Sequence, residues 1–279
     1  MSGPMHGLEI LYEDEALLVI NKPAGLLVTP DRWDPGKSTV VRLAQMHRQA
    51  QGRATGDQSV DDTRVWPVHR LDRETSGVLV VAKSAHAHAA VSQQFAHAKV
   101  HKSYLGLVGG RVPDSEGRID LPIGMHPSKP GLMTIRRHHG KAAVTCYRVV
   151  ERFRGFTLLN LQPETGRTHQ LRVHLRAIGF PLAIDPPYGG SSAIFLSALK
   201  PSYKPKAFHE EPPLMARLTL HAEALRLVHP SHGRTMAWVA PLPKDFAAVL
   251  RNLRRFQQLP AEPFPPPPDA GGKQEGLQR

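Results

Sequence analysis

The chain has 279 residues, of which 41% are hydrophobic, so it is long enough to bury a substantial core in one large or two small domains. Its 36 lysine and arginine residues exceed its 24 acidic residues, and the resulting net charge of +12 predicts a polyanionic partner such as nucleic acid. No long uncharged apolar run and no signal-peptide pattern is evident, so we expect neither a membrane span nor export. The single cysteine, Cys146, cannot form an internal disulfide and fits a reducing cytoplasm.

The N-terminal part of the chain predicts two strands and one helix. Residues 9–20 contain two apolar segments on either side of an acidic turn at 13–15, which is typical of a hairpin-like pair of strands. Ser38 is a common N-cap residue type, and the apolar residues after it predict a helix that includes residues 41–46. Residues 49–62 are rich in Gln, Arg and Gly and have little to bury, so they predict a mobile surface loop.

The middle of the chain predicts a core strand followed by a helix. Residues 78–81 are a continuous aliphatic run typical of a buried strand, and Ser84 is a candidate N-cap for a helix that ends near residue 98. Four histidines lie in or beside this helix: His86, His88, His97 and His101. Because no cysteine or carboxylate lies at ligand spacing from them, we expect them to face solvent or RNA rather than zinc.

The C-terminal half predicts further strands and two helices. The predicted strands are residues 102–108, 117–122, 132–136, 143–153, 156–161 and 217–222. Thr168 is a candidate N-cap for a helix that ends at Gly179, and residues 245–256 predict a closing helix. Cys146 lies in an alternating apolar run and is expected in the core. Residues 191–213 predict a loop whose apolar patch at 194–199 is either a lid or variable surface.

The segment that offers the best candidate for a catalytic residue is residues 69–83, HRLDRETSGVLVVAK. Asp72 lies between Arg70 and Arg73, whose positive charges favour its ionised form. The segment leads directly into the buried strand, so Asp72 is expected on a rigid loop. A carboxylate held in this way can act as a nucleophile or a base, or it can simply pair with arginine at the surface.

A second charged segment lies at residues 164–176. Arg167, Arg172 and Arg176 cannot all be buried without partners, so they should contact carboxylate, phosphate or solvent. His169 and His174 are five residues apart and do not share one helix face, which argues against a metal site.

Three segments resemble motifs of the RluA-type pseudouridine synthases: residues 21–28 (NKPAGLLV), 69–77 (HRLDRETSG) and 164–174 (ETGRTHQLRVH). The resemblance covers about residues 8 to 255 and is weakest between about 32 and 64 and between about 191 and 215. One departure is Pro186, which replaces the basic residue that usually follows the Asp of a later turn. The resemblance implies an RNA pseudouridine synthase that uses no metal and no cofactor.

The resemblance also implies roles for individual residues. Asp72 corresponds to the essential aspartate, Tyr104 to a tyrosine that stacks on the target base, and Arg172 to the arginine that pairs with Asp72, with Arg167 as second choice for that pairing. Asp72 would act as a nucleophile or as a base after glycosidic cleavage. The residues expected to bind substrate are Lys22, Arg70, Leu71, Arg73, Arg167, His169, Gln170 and Leu171. For Lys22 the resemblance favours a structural role near the active cleft, with RNA contact secondary.

The implied fold is a single mixed α/β catalytic domain at residues 9–256, with a large, mainly antiparallel β-sheet flanked by helices and loops. Residues 1–8 are expected to be an extension, and residues 257–279 a disordered Pro-rich tail. We expect a cytoplasmic monomer whose partner is a stem-loop of ribosomal or transfer RNA. Two alternatives remain: a non-catalytic RNA-binding protein of the same fold, and a hydrolase with Glu74 or Glu164 as second carboxylate.

Overall fold

The computed structural model describes residues 8–30, 37–55, 63–203 and 210–259. The strands in this part of the chain are β1 (Glu9–Glu13), β2 (Leu17–Lys22), β3 (Trp66–Pro67), β4 (Ser76–Ala82), β5 (His101–Gly109), β6 (Glu116–Asp120), β7 (Ile123–Met125), β8 (Met133–Ile135), β9 (Val144–Arg152), β10 (Phe156–Pro163), β11 (Leu220–Val228) and β12 (Thr235–Val239). The α-helices are α1 (Val40–Thr55), α2 (Ala85–Ala96), α3 (Gln170–Ala177), α4 (Leu196–Leu199) and α5 (Lys244–Phe256), and a 3₁₀ turn spans Pro186–Tyr188.

Ten of the strands described form one sheet, in the order β1-β2-β4-β11-β5-β10-β9-β6, with β3 beside β4 and β12 beside β11. The neighbours pair antiparallel except β4 and β11, which run parallel over two residue pairs, Ser76 with His221 and Gly77 with Ala222. Strands β7 and β8 form a separate hairpin. The expectation of a mixed α/β fold with a large, mainly antiparallel sheet is therefore confirmed.

Alternation along the strands buries both faces of the sheet. On β5, Val108 packs on the same side as Leu171 and Leu175 of α3, whereas Leu107 packs on the other side with residues of α5. The 78–81 run is fully buried, as its aliphatic composition predicts. Helices α3 and α5 thus cover opposite faces of the sheet, with α3 on the face that carries Tyr104.

Two helices begin at residues other than the expected caps. The hydroxyl of Thr39, not Ser38, accepts a hydrogen bond from the N–H of Arg42 at the start of α1. Helix α3 begins at Gln170 after His169, which has a left-handed φ of 55° and makes no side-chain cap, so the prediction that Thr168 caps it is wrong. Ser84 does cap α2, through a bond from the N–H of Ala87.

Other expectations need adjustment. Helix α1 continues to Thr55, so the prediction of a loop at residues 49–62 is wrong for residues 49–55. Residues 56–62 lie outside the described residues. Cys146 is half-buried beside Glu164 rather than fully buried. The apolar patch at 194–199 is not a lid, because Ile194 and Leu199 are core residues that pack in the same cluster as α5.

One residue just outside each expected domain boundary makes tertiary contacts. Leu8 is buried against the sheet, and the side chain of Gln257 donates to the carbonyl of Leu199 at 2.6 Å. The remainder of the expected extension and tail, residues 1–7 and 260–279, lies outside the described residues. None of the helices in the described segments has the length and apolar character needed to cross a membrane.

Gly77 lies where β4 and β11 approach each other. Its φ is 117°, and a Cβ there would lie 2.1 Å from the carbonyl oxygen of Ala222. We predict that Gly77→Ala lowers the free energy of unfolding by about 3 kcal/mol or more, through backbone strain and separation of the two strands. The measurement is urea unfolding followed by circular dichroism. Gly155→Ala is the control, because a Cβ at Gly155 meets nothing within 4 Å, and equal losses in both variants would contradict the prediction.

Candidate active site

Asp72 lies on a tight turn that precedes β4. The carbonyl of Asp72 accepts the N–H of Thr75 at 3.1 Å, and the carbonyl of Arg73 accepts the N–H of Gly25 at 2.9 Å. The Nε of Arg73 donates back to the carbonyl of Gly25 at 3.1 Å. The first two sequence motifs, residues 21–28 and 69–77, are therefore hydrogen-bonded to each other, and the turn at 21–28 supports the Asp72 loop.

Lys22 is fully buried beneath this loop. Its ammonium donates three hydrogen bonds of 2.8 to 2.9 Å, to the carbonyls of Pro23, Leu26 and Arg73. Burial lowers the pKa of Lys22 to about 8, against the opposing attraction of Glu74 and Asp72. Because all three protons are used and the side chain has no exposed surface, Lys22 has no proton free for the secondary role of RNA contact and serves to hold the loop.

Arg172 holds the carboxylate of Asp72 from the opposite side. Its guanidinium forms a bidentate pair with Asp185 at 2.8 and 2.7 Å, and its Nη1 lies 3.3 Å from Oδ2 of Asp72. Burial opposes the charge on Arg172, but hydrogen bonding and attraction from Asp185 outweigh it, so the pKa of Arg172 is raised. The structure therefore agrees with the expected Asp72–Arg172 contact.

The arginines adjacent to Asp72 in sequence do not pair with it. Arg73 is exposed and contacts Glu74 at 3.5 Å, and Arg70 is exposed at the edge of the site. In the described segments, the ion pairs of Asp72 are with Arg172 and, at 3.9 Å, His169. The charge that faces Asp72 thus comes from a helix one hundred residues away, contrary to the expectation from its sequence neighbours.

Tyr188 connects the components of the site. Its hydroxyl accepts the N–H of Met133 at 2.9 Å and lies 2.7 Å from Nδ1 of His169, within hydrogen-bond distance. The other ring nitrogen of His169, Nε2, faces Asp72 at 3.9 Å from Oδ2. The ring of Tyr188 also lies against the guanidinium of Arg172, 4.6 Å from its centroid.

A cavity of about 480 Å³ opens beside Asp72, within the size range of small-molecule sites. Its wall includes Asp72, Tyr104, Lys102 and residues 163–172. Burial raises the pKa of the Tyr104 phenol, as does the nearby charge of Asp72, so the phenol stays protonated. The cavity thus combines a carboxylate, an aromatic ring and cationic side chains.

The remaining predicted residues divide into two groups. Arg70, Leu71, Arg167, His169 and Leu171 line the cavity, whereas Arg73 does not. Gln170 also borders it, but its amide is saturated: it accepts from Thr165 and the N–H of Arg167 and donates to the carbonyl of Val144 and the hydroxyl of Thr145. The expectation that Gln170 binds substrate is therefore corrected to a role in shaping the turn before α3.

Sequence reasoning missed Asp185, Tyr188 and Lys102 as components of the site. A signal for Asp185 was present, since Arg172 needed a carboxylate and Asp185 and Glu164 are the only acidic residues between 161 and 190. Tyr188 gave no such signal, because its contacts to Met133, His169 and Arg172 arise only from the tertiary structure.

His69 is a further titratable residue of the cavity wall. Its Nε2 accepts the N–H of Val80 at 3.0 Å, and its ring stacks on Phe95 at 4.9 Å between centroids. Burial, with a further effect of the Lys102 charge, lowers the pKa of His69 to about 3. His69 is therefore neutral in the folded protein.

This has a consequence for stability at acid pH. An unfolded histidine titrates near pH 6.5, so below that pH the unfolded state binds a proton that folded His69 does not, and stability falls as the pH falls. We predict that, between pH 7.5 and 5.0, the wild type loses about 2 kcal/mol more unfolding free energy than His69→Gln. Urea unfolding at both pH values measures this, with exposed His86→Gln as control; identical pH dependence in wild type and His69→Gln would contradict it.

Comparison with known proteins places this geometry in a family. The family model for RNA pseudouridylate synthase matches residues 16–177, a range that contains Asp72, Tyr104 and Arg172. The ribosomal large subunit pseudouridine synthase D of Nitrosomonas europaea is 40% identical over 249 residues, which cover 89% of this chain and 66% of that protein. The uncharacterized RNA pseudouridine synthase YlyB of Bacillus subtilis is 39% identical over 257 residues, 91% of this chain and 75% of that protein.

A solved structure agrees. Human RNA pseudouridylate synthase domain containing 4 superposes with a TM-score of 0.67 at 28% identity, covering 90% of this chain and 94% of that chain. This chain belongs to the RNA pseudouridylate synthase family, as its motifs predicted, and is an RNA pseudouridine synthase.

Proposed function

We propose that this enzyme converts a uridine in the RNA of the large ribosomal subunit to pseudouridine, with Asp72 as the catalytic carboxylate. The name of the Nitrosomonas europaea relative supports the choice of RNA. Asp72 is chosen because it lies in the cavity wall, 3.3 Å from Arg172, whose guanidinium is fixed by Asp185.

The reaction breaks the bond between ribose C1′ and uracil N1, turns the base and joins C1′ to C5. A proton leaves C5 and one is added at N1, so product and substrate are isomers. Asp72 contributes either by attack on a carbon of the nucleotide or by removal of a proton after glycosidic cleavage. Both routes require an oriented carboxylate, which Arg172 provides.

Tyr104 is proposed to contact the uracil ring. Because its raised pKa keeps the phenol neutral, it acts through its ring face and hydroxyl rather than as a base. The base has to leave its stack to reach the cavity, and this costs a few kcal/mol. Contacts of Arg70 and Arg167 at the edge of the cavity with RNA phosphates offset that cost.

The proposed enzyme acts as a cytoplasmic monomer. All three proposed catalytic residues, Asp72, Tyr104 and Arg172, come from one chain and line one cavity. The half-buried thiol of Cys146 has no second cysteine in the sequence to pair with, which is consistent with a reducing compartment.

The hydrolase alternative is less well supported, because it needs a second carboxylate as general acid. Glu164 borders the cavity, but it pairs with Arg118, which holds the pKa of its carboxyl below the usual range. Glu74 pairs with Arg73 outside the cavity.

We predict that Asp72→Asn abolishes pseudouridine formation and changes RNA affinity by less than about threefold, because it removes the reactive carboxylate without adding bulk. Carbodiimide labelling and reverse transcription of total RNA compares cells that have the gene, lack it or carry the variant. One large-subunit site should disappear in both deficient strains.

The exposed carboxylate of Asp114 offers a matched control, since Asp114→Asn should keep full activity. Turnover by Asp72→Asn would refute the assignment of Asp72. Loss of a transfer RNA site instead would refute the proposed RNA, and release of free uracil would favour the hydrolase.

We predict that Arg172→Lys lowers the single-turnover rate by about 10² or more with little effect on RNA affinity, because lysine cannot hold Asp185 in a bidentate pair and also reach Asp72. Quench-flow measurement of pseudouridine formation gives the rate. Arg176→Lys, on the exposed side of the same helix, should behave as wild type. A fully active Arg172→Lys enzyme would show that the bidentate geometry is not required.

A further inference from the structure

Lys102 is a partly buried cation of the cavity that the proposed chemistry does not use. It lies two residues before Tyr104 on β5, so both side chains project from the same face of the strand, and both line the cavity. Its Nζ donates one hydrogen bond, to the carbonyl of Thr165 at 3.1 Å. That single bond leaves the ammonium with unused donor capacity in the wall of the cavity that Asp72 and Tyr104 also line.

The charges around Lys102 are already committed to other partners. Of the described residues, the carboxylates that line the cavity are Asp72, paired with Arg172, and Glu164, paired with Arg118. His69 faces Lys102 but is neutral, and the other nearby charges at the cavity, Arg70 and Arg167, are positive. Within the segments that the structure describes, Lys102 has no carboxylate within 4 Å.

This differs from the other buried cations of the site. Lys22 is satisfied by three carbonyls, and Arg172 by Asp185 and Asp72. Burial lowers the pKa of Lys102 to about 8, with no opposing attraction from an anion. A partly desolvated cation without an anion costs free energy, so a binding site that retains one is suited to an anionic ligand.

We propose that Lys102 binds a backbone phosphate of the RNA next to the target nucleotide. This inference rests on the proposed function. A nucleotide whose C1′ reaches Asp72 carries its phosphates into the same cavity, where the ammonium offers a point charge. A phosphate there restores the missing countercharge.

The competing explanation is that Lys102 only ties β5 to Thr165. Two measurements separate the explanations, because a structural tie changes stability but not ion release or proton uptake. A phosphate contact contributes about 0.7 to 0.9 to the slope of log affinity against log salt concentration. It also makes RNA binding depend on the protonation of Lys102.

The experiment uses the full chain and a transcript containing the modified site, with affinities measured from 50 to 300 mM KCl at pH 7.0 and 9.0. For Lys102→Met we expect a salt slope lower by about 0.7 to 0.9 and an affinity lower by about tenfold at pH 7.0. For the wild type we expect affinity to fall by about fivefold to tenfold from pH 7.0 to 9.0, and for Lys102→Arg much less, because arginine stays charged.

Lys22 titrates in the same range, but it does so equally in wild type and Lys102→Arg, so the difference between the two isolates Lys102. Lys244→Met removes an exposed lysine that does not line the cavity and should leave slope and pH dependence unchanged. If Lys102→Met does not fold, the difference in the pH dependence of RNA affinity between wild type and Lys102→Arg still tests the proposal.

Unchanged salt slope and pH dependence in both Lys102 variants, with altered stability alone, would overturn the inference and leave the structural tie. That outcome with a wild type that forms pseudouridine refutes only the role of Lys102. A wild type that forms no pseudouridine in any RNA would instead refute the proposed function.

Discussion

The geometry of the cavity depends on the buried ion pair between Arg172 and Asp185. The side chain of Asp185 has no solvent exposure, so removal of either partner would leave an uncompensated charge in the protein interior. The pair joins α3 to the 3₁₀ turn that contains Tyr188. As a result, the ring of Tyr188 packs against the guanidinium of Arg172, and its hydroxyl contacts His169. One face of Arg172 is thereby fixed, and its Nη1 remains directed at Asp72.

The other side of the site is held by backbone rather than by charge. Lys22 donates to three carbonyls around the Asp72 loop, one of them on Arg73, so the loop that carries Asp72 is tied to the end of β2. Asp72 therefore lies between two rigid supports that belong to distant parts of the chain. A reacting carboxylate needs such preorganisation, because small displacements from a productive geometry are costly.

Local patterns allowed much of the fold to be predicted from the sequence. The 78–81 run and the Ser84 cap depend on neighbouring residues, and both were predicted correctly. The site was harder, because sequence shows that a side chain can form hydrogen bonds but not which partners use that capacity. Gln170 was thus assigned to substrate, and RNA contact was kept as a secondary role for Lys22, although backbone and hydroxyl groups occupy their polar atoms.

The charge arrangement of the cavity favours isomerisation over hydrolysis. Hydrolysis by paired carboxylates requires one protonated acid and one ionised partner at the scissile bond, and Glu164 is instead kept ionised by Arg118. Isomerisation requires that the cleaved base stay in place until it has turned. The cavity combines Asp72, a Glu164 carboxylate that is already paired with Arg118, a neutral phenol at Tyr104 and cations for the RNA backbone. This arrangement meets that requirement, because the same contacts that admit the nucleotide also retain the base.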